Sequence, residues 1–325
     1  MTPPDRSSVD QQRRDEVKAL GRADLIAGRV ARTDRGVVTV WPDRERLDVA
    51  KLRATCATDG KDVVAGDWVA LDPANHRVEH RLERHTEFVR RSAKGALTAQ
   101  TLAANMDVVF CIQAMVPGIN PRRLEREMVL AHQSGAEVAV VLTKADLVDD
   151  AEAQKAIAER SAPGVPVHLV SSTEGTGLDA LRASLPPGCT VSMFGASGVG
   201  KSTLVNAWAG GPVQLIGEVR AGDSKGRHTT SAARLIRLAD DLILLDTPGT
   251  RALALWEADD GLTATFPEIL AASENCRFDD CRHTDEPGCG VIGVVDQDRL
   301  ESFRRLRDEL DELDDKLDDK FRRPH

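Results

Sequence analysis

The octapeptide Gly195-Ala196-Ser197-Gly198-Val199-Gly200-Lys201-Ser202 constrains this chain more than any other stretch. It has the phosphate-loop spacing GxxxxGK[ST] and lies between a short apolar run, Thr190–Phe194, and a helix-forming stretch, Thr203–Trp208. Its glycines let backbone N–H groups curl around a phosphate. Its lysine, Lys201, reaches the β- and γ-phosphates, and the Ser202 hydroxyl ligates Mg²⁺. A chance Gly-rich turn would not need a strand before it and a helix after it.

The neighbouring sequence supplies a sheet for such a loop. Val108–Met115, Val138–Leu142, Val165–Val170, Thr190–Phe194 and Leu242–Leu245 are short apolar runs, as buried parallel strands are. Arg122–Ser134 and Ala151–Arg160 read as helices between them. In sheets of this kind the ligand loops follow the carboxyl ends of the strands. Asp246-Thr247-Pro248-Gly249 follows one such run, 45 residues after Lys201. In this DxxG form Asp246 holds the metal through water, and the Gly249 N–H senses the γ-phosphate. Thr143-Lys144-Ala145-Asp146 follows another run and is similar to the guanine-reading [NT]KxD motif. Asp146 would accept from guanine N1 and N2, which adenine cannot match, and Lys144 would lay its stem over the base. Thr143 replaces the commoner Asn. Ser171-Ser172-Thr173 follows Val165–Val170 and would offer backbone N–H to guanine O6. Together these motifs point to a GTPase, with an ATPase as the alternative.

The order of the motifs carries further information. Ordinary GTPases run from phosphate loop to DxxG to guanine motif. Here the guanine motif comes first, which makes the domain circularly permuted and leads DxxG straight into the C-terminal segment. Gly226-Arg227-His228-Thr229-Thr230 lies between phosphate loop and DxxG. Either Thr229 or Thr230 closes over Mg²⁺. His228 is a candidate to position the attacking water, the alternative being an exposed loop histidine. Thr250 stands where Ras-type enzymes place Gln and is too short for that role, so intrinsic hydrolysis is expected to be slow.

With 325 residues the chain needs more than one domain. Residues 1–20 read as a flexible tail with room for a short helix at its end, 21–91 as a small β-barrel, and 92–104 as a connector. Residues 105–263 read as the permuted GTPase domain and 264–325 as a metal-stapled domain with a terminal helix. In that helix Leu300, Phe303, Leu306, Leu310, Leu313, Leu317 and Phe321 recur at spacings of three and four. This pattern suits a packing helix, with a coiled coil as the sharper alternative. Cys276-x4-Cys281-x-His283-x5-Cys289 supplies three thiols and an imidazole within 14 residues, enough to close a tetrahedral structural zinc site. The other cysteines, Cys56, Cys111 and Cys189, read as small buried hydrophobes.

A net charge of −9 and 3% aromatics argue against a generic nucleic-acid binder. Residues 1–105 carry +3, whereas 106–263 carry −5 and 264–325 carry −7. No run approaches the ~20 apolar residues that span a bilayer, and no signal peptide is visible, so a cytoplasmic location is expected.

The chain resembles the ribosome small-subunit-dependent GTPase A family (RsgA, also called YjeQ). The resemblance rests on Gly66-Asp67-Trp68-Val69, Ala103-Ala104-Asn105-Met106-Asp107, Thr143 to Asp146, Gly195 to Ser202, Gly226 to Thr230, Asp246 to Gly249 and the Cys/His quartet. It implies an N-terminal OB-fold, a permuted GTPase domain and a C-terminal zinc domain. It also implies GTP/GDP and Mg²⁺ as ligands and hydrolysis stimulated by the 30S subunit, late in maturation. The implied contact is 16S rRNA. A monomer is expected, with other assembly factors open as partners. Two features depart from the family's pattern: Thr250 is polar, and the C-terminal segment is strongly acidic.

Overall fold

The computed structural model describes residues 6–34, 36–43, 51–56, 63–91, 99–213, 233–247 and 258–322. Helix α1 (Arg6–Ala19) replaces the expected flexible tail over most of its length. Its sequence hides this because charged groups carry the docking. Arg13 and Val17, one turn apart, are both buried, and Arg14 makes a bidentate pair with Asp43 at 2.9 and 3.1 Å.

Five strands close a barrel: β1 (Ile26–Asp34), β2 (Val37–Pro42), β3 (Leu52–Cys56), β4 (Trp68–Asp72) and β5 (Arg77–Arg81). β1 pairs antiparallel with β2 and β4, β2 with β3, β5 with β4, and β3 runs parallel to β5. The ring is OB-like and leaves no open edge. Alternate residues such as Val38 and Val40 fill it. The Asp72 carboxylate accepts from the N–H groups of Ala74 and Asn75, which makes the turn between β4 and β5. Strand β6 (Glu87–Arg91) pairs antiparallel with β7 (Ala99–Ala104), so the second half of the expected connector is a strand. Gly66 meets this hairpin at φ +94°. A Cβ there would lie 1.8 Å from the Ala104 carbonyl oxygen, so only glycine permits the approach.

The second sheet contains β8 (Val108–Ala114), β9 (Glu137–Thr143), β10 (Val167–Leu169), β11 (Thr190–Phe194), β12 (Arg234–Arg237) and β13 (Ile243–Asp246). Its spatial order is β10-β9-β8-β11-β13-β12, parallel except for β12. The phosphate-loop strand β11 is thus central in space but fourth in sequence, the signature of the permutation. Alternate strand residues face opposite ways. Val109 and Cys111 pack towards α2 (Pro121–Gln133) and α3 (Ala151–Ser161). Phe110 and Ile112 pack towards α4 (Leu178–Ala183) and α5 (Lys201–Ala209). Arg234 of β12 also pairs with Arg32 of β1, joining this sheet to the barrel.

Three helices follow: α6 (Asp259–Thr265), α7 (Pro267–Ser273) and α8 (Gln297–Arg322). Leu300, Leu306 and Leu310 of α8 are buried with Phe266 and Ile269, in agreement with the packing-helix reading; the side chains beyond 312 lie outside the described set. Arg299 fixes this unit to α2 and α3. It donates to Glu125 of α2 (3.0 Å), to Glu268 (2.7 Å), and to the carbonyls of Ser161 (2.9 Å) and Thr265 (2.8 Å). Its guanidinium also lies 4.2 Å over the Phe266 ring.

Candidate functional site

β11 ends at Phe194 and α5 begins at Lys201, so the phosphate loop joins the carboxyl end of a central strand to a helix N-terminus. Gly195 (φ +148°), Gly198 (+79°) and Gly200 (+100°) all take conformations that side chains rarely adopt. A Cβ on Gly195 would also sit 2.5 Å from the Ile112 carbonyl. Lys201 Nζ donates to the carbonyls of Gly195 (2.7 Å) and Ala196 (2.8 Å), which holds its charge across the mouth of the loop. Ala196 is half-buried, Ser197 exposed and Val199 buried; Ser202 is half-buried and Thr203 exposed on the first turn of α5.

Thr143 ends β9 and is 2% exposed. Its hydroxyl donates to the carbonyl of Val199 within the phosphate loop and lies 3.3 Å from the Gln113 carbonyl. Thr143 therefore joins two loops. Lys144 follows at φ +61°, and Asp146 sits in a short 3₁₀ turn, Ala145–Leu147. The Thr173 hydroxyl donates to the Asp146 carboxylate at 3.3 Å and lies 3.0 Å from that of Ser171. Hydrogen bonding by Ser171 and Thr173 holds the Asp146 carboxyl below its ordinary value, so it is an acceptor at neutral pH. Ser172 is half-buried between them. The structure thus brings Thr143, Asp146, Ser171 and Thr173 together beside the phosphate loop, although they come from two separate segments.

Asp246 ends β13, next to β11, and is buried beside Arg234 at 3.3 Å. Thr247 is the last described residue there; Gly249, Thr250, His228, Thr229 and Thr230 lie outside the described residues. One nearby group carries no motif signal. Glu127 of α2 is close enough to feel the Lys201 charge, and one of its carboxylate oxygens is buried without a partner among the described residues. Burial pushes its carboxyl up to about 7 against the pull of Arg123 and Lys201.

The Cys/His quartet forms a second centre. The ligand atoms of Cys276, Cys281, His283 and Cys289 all lie within 4.8 Å of one another. His283 Nδ1 is 3.6 Å from Cys276 Sγ and 3.5 Å from Cys289 Sγ. Zinc bonds of about 2.3 Å to sulfur and about 2.0 Å to nitrogen give a tetrahedral S···N edge of about 3.5 Å, so the spacing fits zinc. The N–H of Gly290 donates to Cys276 Sγ (3.3 Å) and that of Val291 to Cys289 Sγ (3.4 Å), as suits thiolates. Glu286 shapes the intervening loop by accepting from the N–H groups of Arg282 and Thr284, bonds that hold its carboxyl down at about 2. His283 is buried with its ring 6.1 Å from that of Phe303, so α8 backs the centre.

A central strand that feeds a phosphate loop, flanked by an Asp-ended strand and a guanine-type loop in permuted order, defines a circularly permuted P-loop GTPase. Residues 81–256 match the RsgA GTPase family. The "Small ribosomal subunit biogenesis GTPase RsgA" of Streptomyces avermitilis is 42% identical over 92% of this chain and 83% of its own length. That of Methanosarcina acetivorans is 40% identical over 88% and 79%. Among solved structures, YjeQ from Thermotoga maritima is 25% identical with a TM-score of 0.68, over 88% of this chain and 98% of that one. The fold is shared by YloQ, described as a circularly permuted GTPase, at 22% identity and a TM-score of 0.63 over 93% of this chain and 98% of that one. The chain belongs to the RsgA GTPase family and is a GTP-hydrolysing enzyme.

Proposed function

We propose that the chain hydrolyses GTP on the maturing small ribosomal subunit, binding 16S rRNA in the GTP state and leaving after hydrolysis. The observation that best supports the nucleotide assignment is the Thr143–Val199 bond, which joins the segment that carries Asp146 to the phosphate loop. The names of the relatives support the ribosomal assignment.

In this reading Asp146 accepts from guanine N1 and N2, Lys144 covers the base, and the backbone at Ser171 and Ser172 donates to O6. The N–H groups of residues 195–203 cradle the phosphates. Lys201 exchanges its two carbonyl partners for phosphate oxygens, a stronger charge-assisted pairing. Ser202 and Asp246 hold Mg²⁺, which when bound neutralises developing phosphate charge. Thr229 or Thr230 closes the site, His228 orients water, and the Gly249 N–H reads the γ-phosphate; these last four rest on sequence. The quartet would hold one structural zinc per chain with no open position, so it serves folding and not catalysis. The domain limits follow the sequence reading, with α1 added to the barrel unit. Among the described residues no helix is long and apolar enough to cross a membrane. In this reading the chain is a cytoplasmic monomer that works on the ribosome.

Single-turnover hydrolysis with and without purified 30S subunits tests the proposal. We expect strong acceleration by 30S, and a rate that 30S leaves unchanged would overturn it. Asp146→Asn should shift preference from guanine towards xanthine nucleotides; unchanged specificity would favour the ATPase alternative.

A further inference from the structure

A cavity of about 520 Å³ lies where α1, the barrel and the amino ends of the parallel strands meet. Asp107, Glu137, Gly188 and Ile243 mark those strand ends, whereas the nucleotide loops leave the carboxyl ends. A five-residue strand such as β11 separates the two by roughly 15 Å. The cavity is therefore distinct from the GTP site. Its size and its place between units are those of a small-molecule pocket.

Three features define what it would hold. Trp41 and Trp68 both line it, and each indole is held by a guanidinium: Arg237 at 4.5 Å from the Trp41 ring and Arg29 at 5.3 Å from that of Trp68. Rings fixed in this way suit the stacking of another planar ring. Arg13 also lines the cavity, is 1% exposed, and has its Nε–H buried with no acceptor among the described residues. A buried donor without a partner is costly, so an occupant with an acceptor gains by supplying one. Finally, the four arginines of the lining face four acidic residues, so the pocket has no excess charge to attract a phosphate.

We propose that this cavity is a binding site for a nucleobase, taken as a free nucleoside or as a base presented by single-stranded RNA. A base has the planar face for the indoles and an acceptor for Arg13, and it carries no net charge. The assignment does not depend on the ribosomal reading above. The occupant would touch α1, the barrel and the start of β11 together, and so would favour their docked arrangement.

The test uses the full chain saturated with GDP and Mg²⁺, which occupies the GTP site. Adenosine, guanosine, cytidine and uridine are titrated by calorimetry at up to millimolar concentration. At least one should bind with a stoichiometry of one. Arg13→Met should weaken it about tenfold, the worth of one hydrogen bond, while GDP affinity stays unchanged. Trp41→Leu should weaken it as well, and it carries the test if Arg13→Met loosens α1. Competition between the nucleoside and a single-stranded oligoribonucleotide would identify RNA as the source, and absence of competition the free nucleoside. No saturable binding by any of the four, or binding that both substitutions leave unchanged, overturns the proposal.

Discussion

The hydroxyl of Thr143 donates to the backbone carbonyl of Val199, and this bond couples the loop that would read the base to the loop that would hold the phosphates. At the position where Asn is commoner, the short Thr side chain is buried and links the two loops.

Thr143→Val keeps the shape and removes the donor. The Val199 carbonyl loses its partner, at a cost of about 1–2 kcal/mol. Titration with fluorescent GDP should show an affinity about tenfold lower, and Thr143→Ser should restore it. Equal binding by the valine variant would show that the two loops are positioned by other contacts.

Arg299 and Glu125 form an ion pair buried on both sides, 174 positions apart in sequence. Arg299→Met would strand the Glu125 carboxylate in the interface between α2 and the C-terminal helices. We expect a loss of about 3–5 kcal/mol in urea unfolding. Adding Glu125→Gln should recover a large part of that loss, because removing both charges ends the desolvation penalty. Additive losses would refute the pairing.

Glu127 makes stability depend on pH. Its carboxyl is raised by burial to about 7 from an ordinary value of 4.5, so the folded chain keeps a proton that the unfolded chain has lost. This contribution is complete below pH 4.5, falls as pH rises towards 7, and is gone above it. Glu127→Gln should therefore be more stable than the parent at pH 8, by up to about 3 kcal/mol, with little difference at pH 4. Unfolding midpoints measured at both values check the sign, and a variant less stable at pH 8 would refute it.

Metal analysis should find about one zinc per chain. Cys281→Ala should lose it and unfold the C-terminal segment, while GDP binding persists because the phosphate loop and Asp146 lie on the other unit. A variant that kept both metal and fold would rule the site out.

Signals are legible in the sequence where they reflect local physics. The phosphate loop needs glycines at fixed spacing, zinc ligands need to be near one another, and buried parallel strands need unbroken apolar runs. Strands β3 and β5 are faint in the sequence because charged residues such as Arg53 and Glu79 break their apolar runs, although each places one residue, Ala54 or Val78, in the barrel core. Helix α1 escaped because its contacts run through arginines, which periodicity scores as solvent-facing. Glu127 escaped because a carboxylate on a helix reads as surface.

By itself the sequence determined the class of chemistry, the permuted order of the motifs and the composition of the metal quartet, since each motif is a short local stretch and their order is read directly along the chain. Only the tertiary structure decided which distant residues would meet. Thr143 reaches Val199 across 56 positions, Arg29 reaches Thr190 across 161, and Arg299 reaches Glu125 across 174. A hydrogen bond of that span leaves no periodic trace, because its geometry exists only once the sheets and helices between the partners have packed.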